Sequence, residues 1–184
     1  MGLIIEGGTG NGYTAAVTSE NRLAIEGPTD SREHHVNHAD GLAFNLMFSA
    51  TPTNGTNPFL YVKNTSDNDL VIEGFTLHEV ASEYFDFKIG DTGTPSGGTA
   101  ITPANLNSGS GKAATGTFQN SAAITALTGG ITIQRIYHLT GAGETLYNFE
   151  QDVILKPNGV LTVYAETGTT ALAGVLIFNY HNIN

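Results

Sequence analysis

Val153-Ile154-Leu155-Lys156-Pro157-Asn158-Gly159-Val160-Leu161-Thr162-Val163-Tyr164-Ala165 is the stretch that decides the fold. Two runs rich in β-branched and aromatic residues flank Pro-Asn-Gly, and each is too short for a self-supporting helix. Proline presets φ at about −65°, while asparagine and glycine tolerate positive φ. The centre therefore predicts a tight turn, and the flanks predict the two arms of a hairpin.

Working outward, Ile131 to Tyr137 and Ala171 to Tyr180 read as further strands, the second largely buried. Upstream, Leu42, Phe44, Leu46 and Phe48 recur at every second position, which places them on one face of a strand. Phe59 to Lys63, Leu70 to His78 and Tyr84 to Ile89 continue the pattern, with Phe85, Phe87 and Ile89 opposite Tyr84, Asp86 and Lys88. Thr51-Pro52-Thr53-Asn54-Gly55 and Asn64 to Asp69 supply turn residues between them. About eight antiparallel strands at these spacings predict an all-β protein, a jelly-roll-like β-sandwich. Ser121 to Leu127 alone reads as a short helix.

Two regions depart from this texture. Residues 1–40 open with Gly7-Gly8-Thr9-Gly10-Asn11-Gly12 and continue as polar text with single apolar residues, so they predict an extended N-terminal arm ahead of a sandwich domain over 41–184. Ala15 to Val17 and Leu23 to Ile25 form short strands in that reading, too light in apolar surface to stand alone. From Gly90 to Gly130 the chain turns rich in Gly, Ser, Thr and Ala, which predicts long loops with short strands near Thr99 to Thr102 and Gly116 to Phe118. Loops of that length usually carry an interface or a functional surface.

Composition narrows the function classes. The 184 residues suffice for one core. Only 13% are charged while 23 are glycine, a balance that favours tight turns over long surface helices. Net charge is −10 and the seven Lys and Arg are scattered, so a groove for nucleic acid has no raw material. There is no cysteine, hence neither disulfide nor thiolate metal site. No apolar run is long enough to span a bilayer, and Met1 to Glu6 lacks a basic n-region, so neither a membrane span nor a signal peptide is expected.

Candidate chemistry is sparse. His34, His35 and His38, beside Glu33 and Asp40, have the donor types of a zinc or other transition-metal site but no helical frame, and the plainer reading is a polar arm segment hydrogen-bonded to a neighbour. Glu79, Glu83 and Asp86 could supply the paired carboxylates of a glycosidase, against a plainer reading as solvated loop acids. Gly8 to Gly12 has the wrong spacing for a dinucleotide site, and Gly111-Lys112 lacks the Ser or Thr of a phosphate loop. Asn54-Gly55-Thr56 and Asn64-Thr65-Ser66 fit the glycosylation pattern but read as turns. No Gly-x-Ser-x-Gly elbow is present. The expectation is a protein with no catalytic residue, metal or cofactor.

Val17-Thr18-Ser19-Glu20-Asn21-Arg22-Leu23-Ala24-Ile25, Phe59-Leu60-Tyr61-Val62-Lys63-Asn64, Asn68-Asp69-Leu70-Val71-Ile72 and Leu155-Lys156-Pro157-Asn158-Gly159 together resemble the small β-sandwich decoration and cement proteins of tailed-phage capsids. The resemblance implies a jelly-roll subunit made in the host cytoplasm and carried on the virion surface, a homotrimer over a local threefold. Its partner would be the major capsid protein. The arm residues Val17, Asn21, Arg22, Leu23 and Ile25 would then grip the capsid or a neighbouring subunit by strand addition. A tail-fibre, baseplate or head-fibre adaptor, and a carbohydrate-binding module or small hydrolase, stay open as alternatives.

Overall fold

The computed structural model describes residues 16–17, 23–24, 36–53, 55–141, 143–168 and 170–181. The chain divides into two units, Met1–Ser31 and Arg32–Asn184. In the first, β1 (Ala16–Val17) pairs antiparallel with β2 (Leu23–Ala24), Val17 opposite Leu23.

The second unit begins its described part with a π-type turn, Val36–Asp40. Eleven strands follow: β3 (Ala43–Ala50), β4 (Leu60–Asn64), β5 (Asp69–Glu79), β6 (Glu83–Ser96), β7 (Thr99–Ala100), β8 (Ala104–Asn105), β9 (Gly116–Asn120), β10 (Thr125–His138), β11 (Thr145–Leu155), β12 (Val160–Ala165) and β13 (Leu172–His181). They build two antiparallel sheets, ordered β10-β6-β12-β4-β9-β7 and β11-β5-β13-β3-β8. The sheets pack face to face, an all-β sandwich with no α-helix among the described residues.

Alternation fills the space between the sheets. On β3, Phe44, Leu46 and Phe48 are buried while Met47 faces out, and on β6 Phe85 and Phe87 are buried while Tyr84 is exposed. Rings join the layers: Phe75 of β5 meets Phe87 of β6 edge-on at 4.9 Å, and Phe118 of β9 stacks on Phe178 of β13 at 5.5 Å. Each such buried ring contributes about 1.5–3 kcal/mol. One irregularity shifts the pattern: β13 pairs Phe178 with Ile72 and Ile177 with Gly74, skipping Glu73. The buried set on β5 therefore moves from Leu70 and Ile72 to Phe75, Leu77 and Glu79.

Three expectations change. The turn at Lys156 to Gly159 is present, with Gly159 N donating to Lys156 O at 2.7 Å and Asn158 at φ 66. Its two flanking strands, however, belong to different sheets, so it is a corner that passes the chain across the core and not a hairpin. Ser121 to Leu127 is not helical, because Ser121 N and Ile124 N donate to Phe59 O and Pro58 O, and Thr125 already starts β10. Much of Gly90 to Gly130 is strand: β6 runs on to Ser96 against the start of β10, and β9 joins β4.

Candidate functional site

Where residues 36–41 enter the sandwich, a clasp holds them. Asn105 Nδ2 lies 2.9 Å from each of Gly41 O, Ser110 Oγ and Lys112 O. Asn107 Nδ2 donates to Asn37 O at 3.0 Å, and Lys112 Nζ to Asp40 O at 2.6 Å. Both asparagines also close Asx turns, Asn107 N to Asn105 Oδ1 at 2.7 Å and Gly109 N to Asn107 Oδ1 at 3.1 Å. Gly41 sits at φ +61, and a Cβ there would lie 2.3 Å from Ser110 Cβ, so only glycine fits. The loop from 104 to 112 thus fixes residues 37–41 on the sandwich. Of the proposed gripping residues, Val17 and Leu23 are partners in the β1–β2 pair. Asn21, Arg22 and Ile25 lie outside the described residues.

Of the histidine cluster, His34 and His35 lie outside the described residues, as does the side chain of His38. Among the described residues no group of three or more His, Cys, Asp and Glu is placed to hold a metal ion.

The acidic trio separates into three different roles. Glu83, buried, accepts from Thr167 N, Thr167 Oγ1 (2.5 Å) and Gly168 N (3.0 Å), and so ties the loop after β12 to the start of β6. Asp86 binds Arg135 through both oxygens, at 2.6 and 2.7 Å, and this hydrogen bonding holds its carboxyl below the usual carboxylate range. Glu79 is 2% exposed, its Oε2 has no partner, and burial, reinforced by the charge of Glu83, pushes its carboxyl up to about 7. Across the ladder from Glu83 lies His138, fully buried, with neither ring nitrogen hydrogen-bonded. Two of these three carboxylates are committed to protein partners, so the trio does not present a free pair to a substrate.

A second polar cluster was not legible beforehand. Asp91 is buried, and its Oδ2 accepts from Thr162 Oγ1 and from Tyr164 Oη at 3.1 Å. Burial, then the Asp91 charge, pushes the Tyr164 hydroxyl up to about 12 and raises that of Tyr61. Lys88 Nζ stands 3.9 Å over the Tyr164 ring. Gly130, at φ +71, lets the Asp91 carboxylate approach to where a Cβ would be only 2.5 Å from Oδ1. The cluster's hydrogen bonds tie β6 to β12 within the six-stranded sheet.

Asn64 is likewise spent internally. Its amide donates to Asn68 O (2.7 Å) and Leu155 O (2.8 Å) and its Oδ1 accepts from Ser66, so the fully buried side chain is a corner brace and not a glycan acceptor. Asn54 lies outside the described residues.

An open groove of about 500 Å³ runs over the five-stranded sheet, lined by Met47, Ser49, His78, Ile101, Ala173 and Val175 among others. Exposed apolar side chains gather along β10, where Ile131, Ile133 and Tyr137 reach solvent. No family model, curated protein or solved structure matches the chain.

Proposed function

We propose that this chain is a structural virion protein that binds the outer surface of a tailed-phage capsid and stabilises or decorates it, as a homotrimer, without catalysis or cofactor. The observation that carries the reading is the strand order. Eight strands fall into β11-β5-β13-β3 and β10-β6-β12-β4, and among them the chain crosses between sheets at every connection except β6 to β10. We read this order as a jelly roll, two Greek keys wound together, an architecture that recurs in viral shell proteins and in lectin-like domains.

Support also comes from how the polar side chains are used. Glu83, Asp86, Asp91 and Asn64 each brace strands or corners, which suits a rigid body whose work is to hold neighbours. The phrases that resemble decoration proteins include the leader segment Val17 to Ile25, which this reading uses to grip the major capsid protein through added backbone hydrogen bonds. Several modest contacts per trimer would combine through effective concentration. Because a fold by itself does not fix function, binding must be measured. The test is co-sedimentation with shells of the major capsid protein: the full chain should saturate them, and a variant lacking residues 1–31 should stay in the supernatant while remaining folded. A full chain that ignores the shells, or a truncated chain that saturates them equally, would refute the proposal or its arm, respectively.

A further inference from the structure

We infer that a second copy of this chain docks along β10, the open edge of the six-stranded sheet. β10 is fourteen residues long and, among the described residues, pairs only with β6. An edge of that length offers unpaired backbone groups to another chain, and soluble proteins commonly blunt such edges with charge. Here the edge is left apolar. Of the ten large apolar side chains exposed among the described residues, six are Val80, Tyr84, Ile131, Ile133, Tyr137 and Leu139. They lie on β10, on the start of β6 beside it, or in the adjoining turns, with Ile131 at 73% exposure and the Tyr84 and Tyr137 rings 4.5 Å apart. The one cation on the strand, Arg135, is already engaged by Asp86 and Glu166.

Charge selects the occupant. Residues 92–143 contain no Asp or Glu, although the chain holds seventeen and carries a net charge of −10. Two copies approaching by most other faces bring carboxylates together, whereas along β10 the nearby carboxylates Asp86 and Glu166 are engaged by Arg135 and that repulsion is weaker. A basic partner would be drawn to the acidic faces instead. A second copy supplies what the edge lacks: an apolar partner surface that brings little added negative charge. The skipped residue Ile133, between the pairs Thr132–Lys88 and Gln134–Phe87, interrupts the ladder and thrusts its side chain outward, so the contact combines side-chain packing with strand pairing on either side of the bulge. Closed threefold, this contact would build the homotrimer, yet it needs no capsid to form.

The experiment is sedimentation velocity of the full chain across a dilution series, beside the variants I131K/I133K and M47K/L106K. The wild type should run at a multiple of the single-chain mass. I131K/I133K should run as a single chain with an unchanged circular-dichroism spectrum, and M47K/L106K, altered at exposed apolar residues elsewhere, should keep the wild-type mass. A monomeric wild type, or an I131K/I133K variant that stays assembled, overturns the inference. Should I131K/I133K fail to fold, alkylation decides, since the chain has no cysteine of its own: Ile131→Cys should react severalfold more slowly than Met47→Cys at assembling concentrations, and equal rates overturn the inference. Assembly through β10 without shell binding would count against the virion reading alone.

Discussion

Replacing Glu79 with glutamine should remove a component of the pH dependence of stability, and its size follows from where the carboxyl sits. The side chain is buried beside Glu83 with one oxygen unpartnered, and its carboxyl is raised from 4.5 to about 7. Between those values the folded protein keeps a proton that the unfolded chain has released. The contribution is therefore fully present below 4.5 and is lost as pH rises through about 7. At about 1.4 kcal/mol per tenfold change in proton affinity, the loss amounts to about 3 kcal/mol. Glutamine carries no such proton. Urea denaturation followed by far-UV circular dichroism, at fixed protein concentration, should give E79Q and wild type a stability difference that shifts in favour of E79Q by about 3 kcal/mol between about pH 4 and about pH 8. In thermal melts the same shift is about 6–12 °C for a chain of this size. A difference that stays constant across that window would refute the reasoning, because it would mean that the buried carboxyl titrates as it does in the unfolded chain.

Other expectations follow from single braces. Asn64→Ala strands Leu155 O and Asn68 O at the sheet corner and should cost about 2–4 kcal/mol in the denaturant midpoint analysis. Gly174→Ala would set a Cβ 2.1 Å from Thr76 O and 2.5 Å from the Phe48 ring in the centre of the five-stranded sheet, and should lower thermal stability by at least about 3 kcal/mol or prevent folding. Thr162→Val removes one of the two hydroxyls that donate to Asp91 Oδ2, leaving that of Tyr164, and should cost about 1–3 kcal/mol, read by chemical denaturation. Asn105→Ala opens the clasp on residues 37–41, so amide hydrogen exchange should speed up at Gly41 and Leu42 while the amides of β12 and β13 keep their protection.

The sandwich was legible because burial imposes a period of two, and Phe44, Leu46 and Phe48, like Phe85 and Phe87, keep it. Turn chemistry at Lys156 to Gly159 was legible too, but a turn sets only the local backbone. Whether the next strand returns beside the last or crosses to the other sheet depends on distant partners, here β4 and β6 for β12. Ser121 to Leu127 misled for a related reason, since its backbone donors bind Phe59 O and Pro58 O instead of an earlier turn of helix. Glu79 looked like a loop acid because nothing in the local text signals the skipped residue at Glu73 that turns it inward. Asp91 and Thr162 stand 71 positions apart, so their hydrogen bond leaves no mark on spacing. Ala15 to Val17 and Leu23 to Ile25 were readable as short strands, and Ala16–Val17 and Leu23–Ala24 are paired as such.

Electron cryomicroscopy of capsids assembled with and without the protein tests the central claim most directly. Added density on the outer shell at local threefold positions, fitted by three copies of residues 32–184 and missing from the capsids lacking the protein, is the predicted result. Identical reconstructions, or density confined to the tail, would contradict the claim.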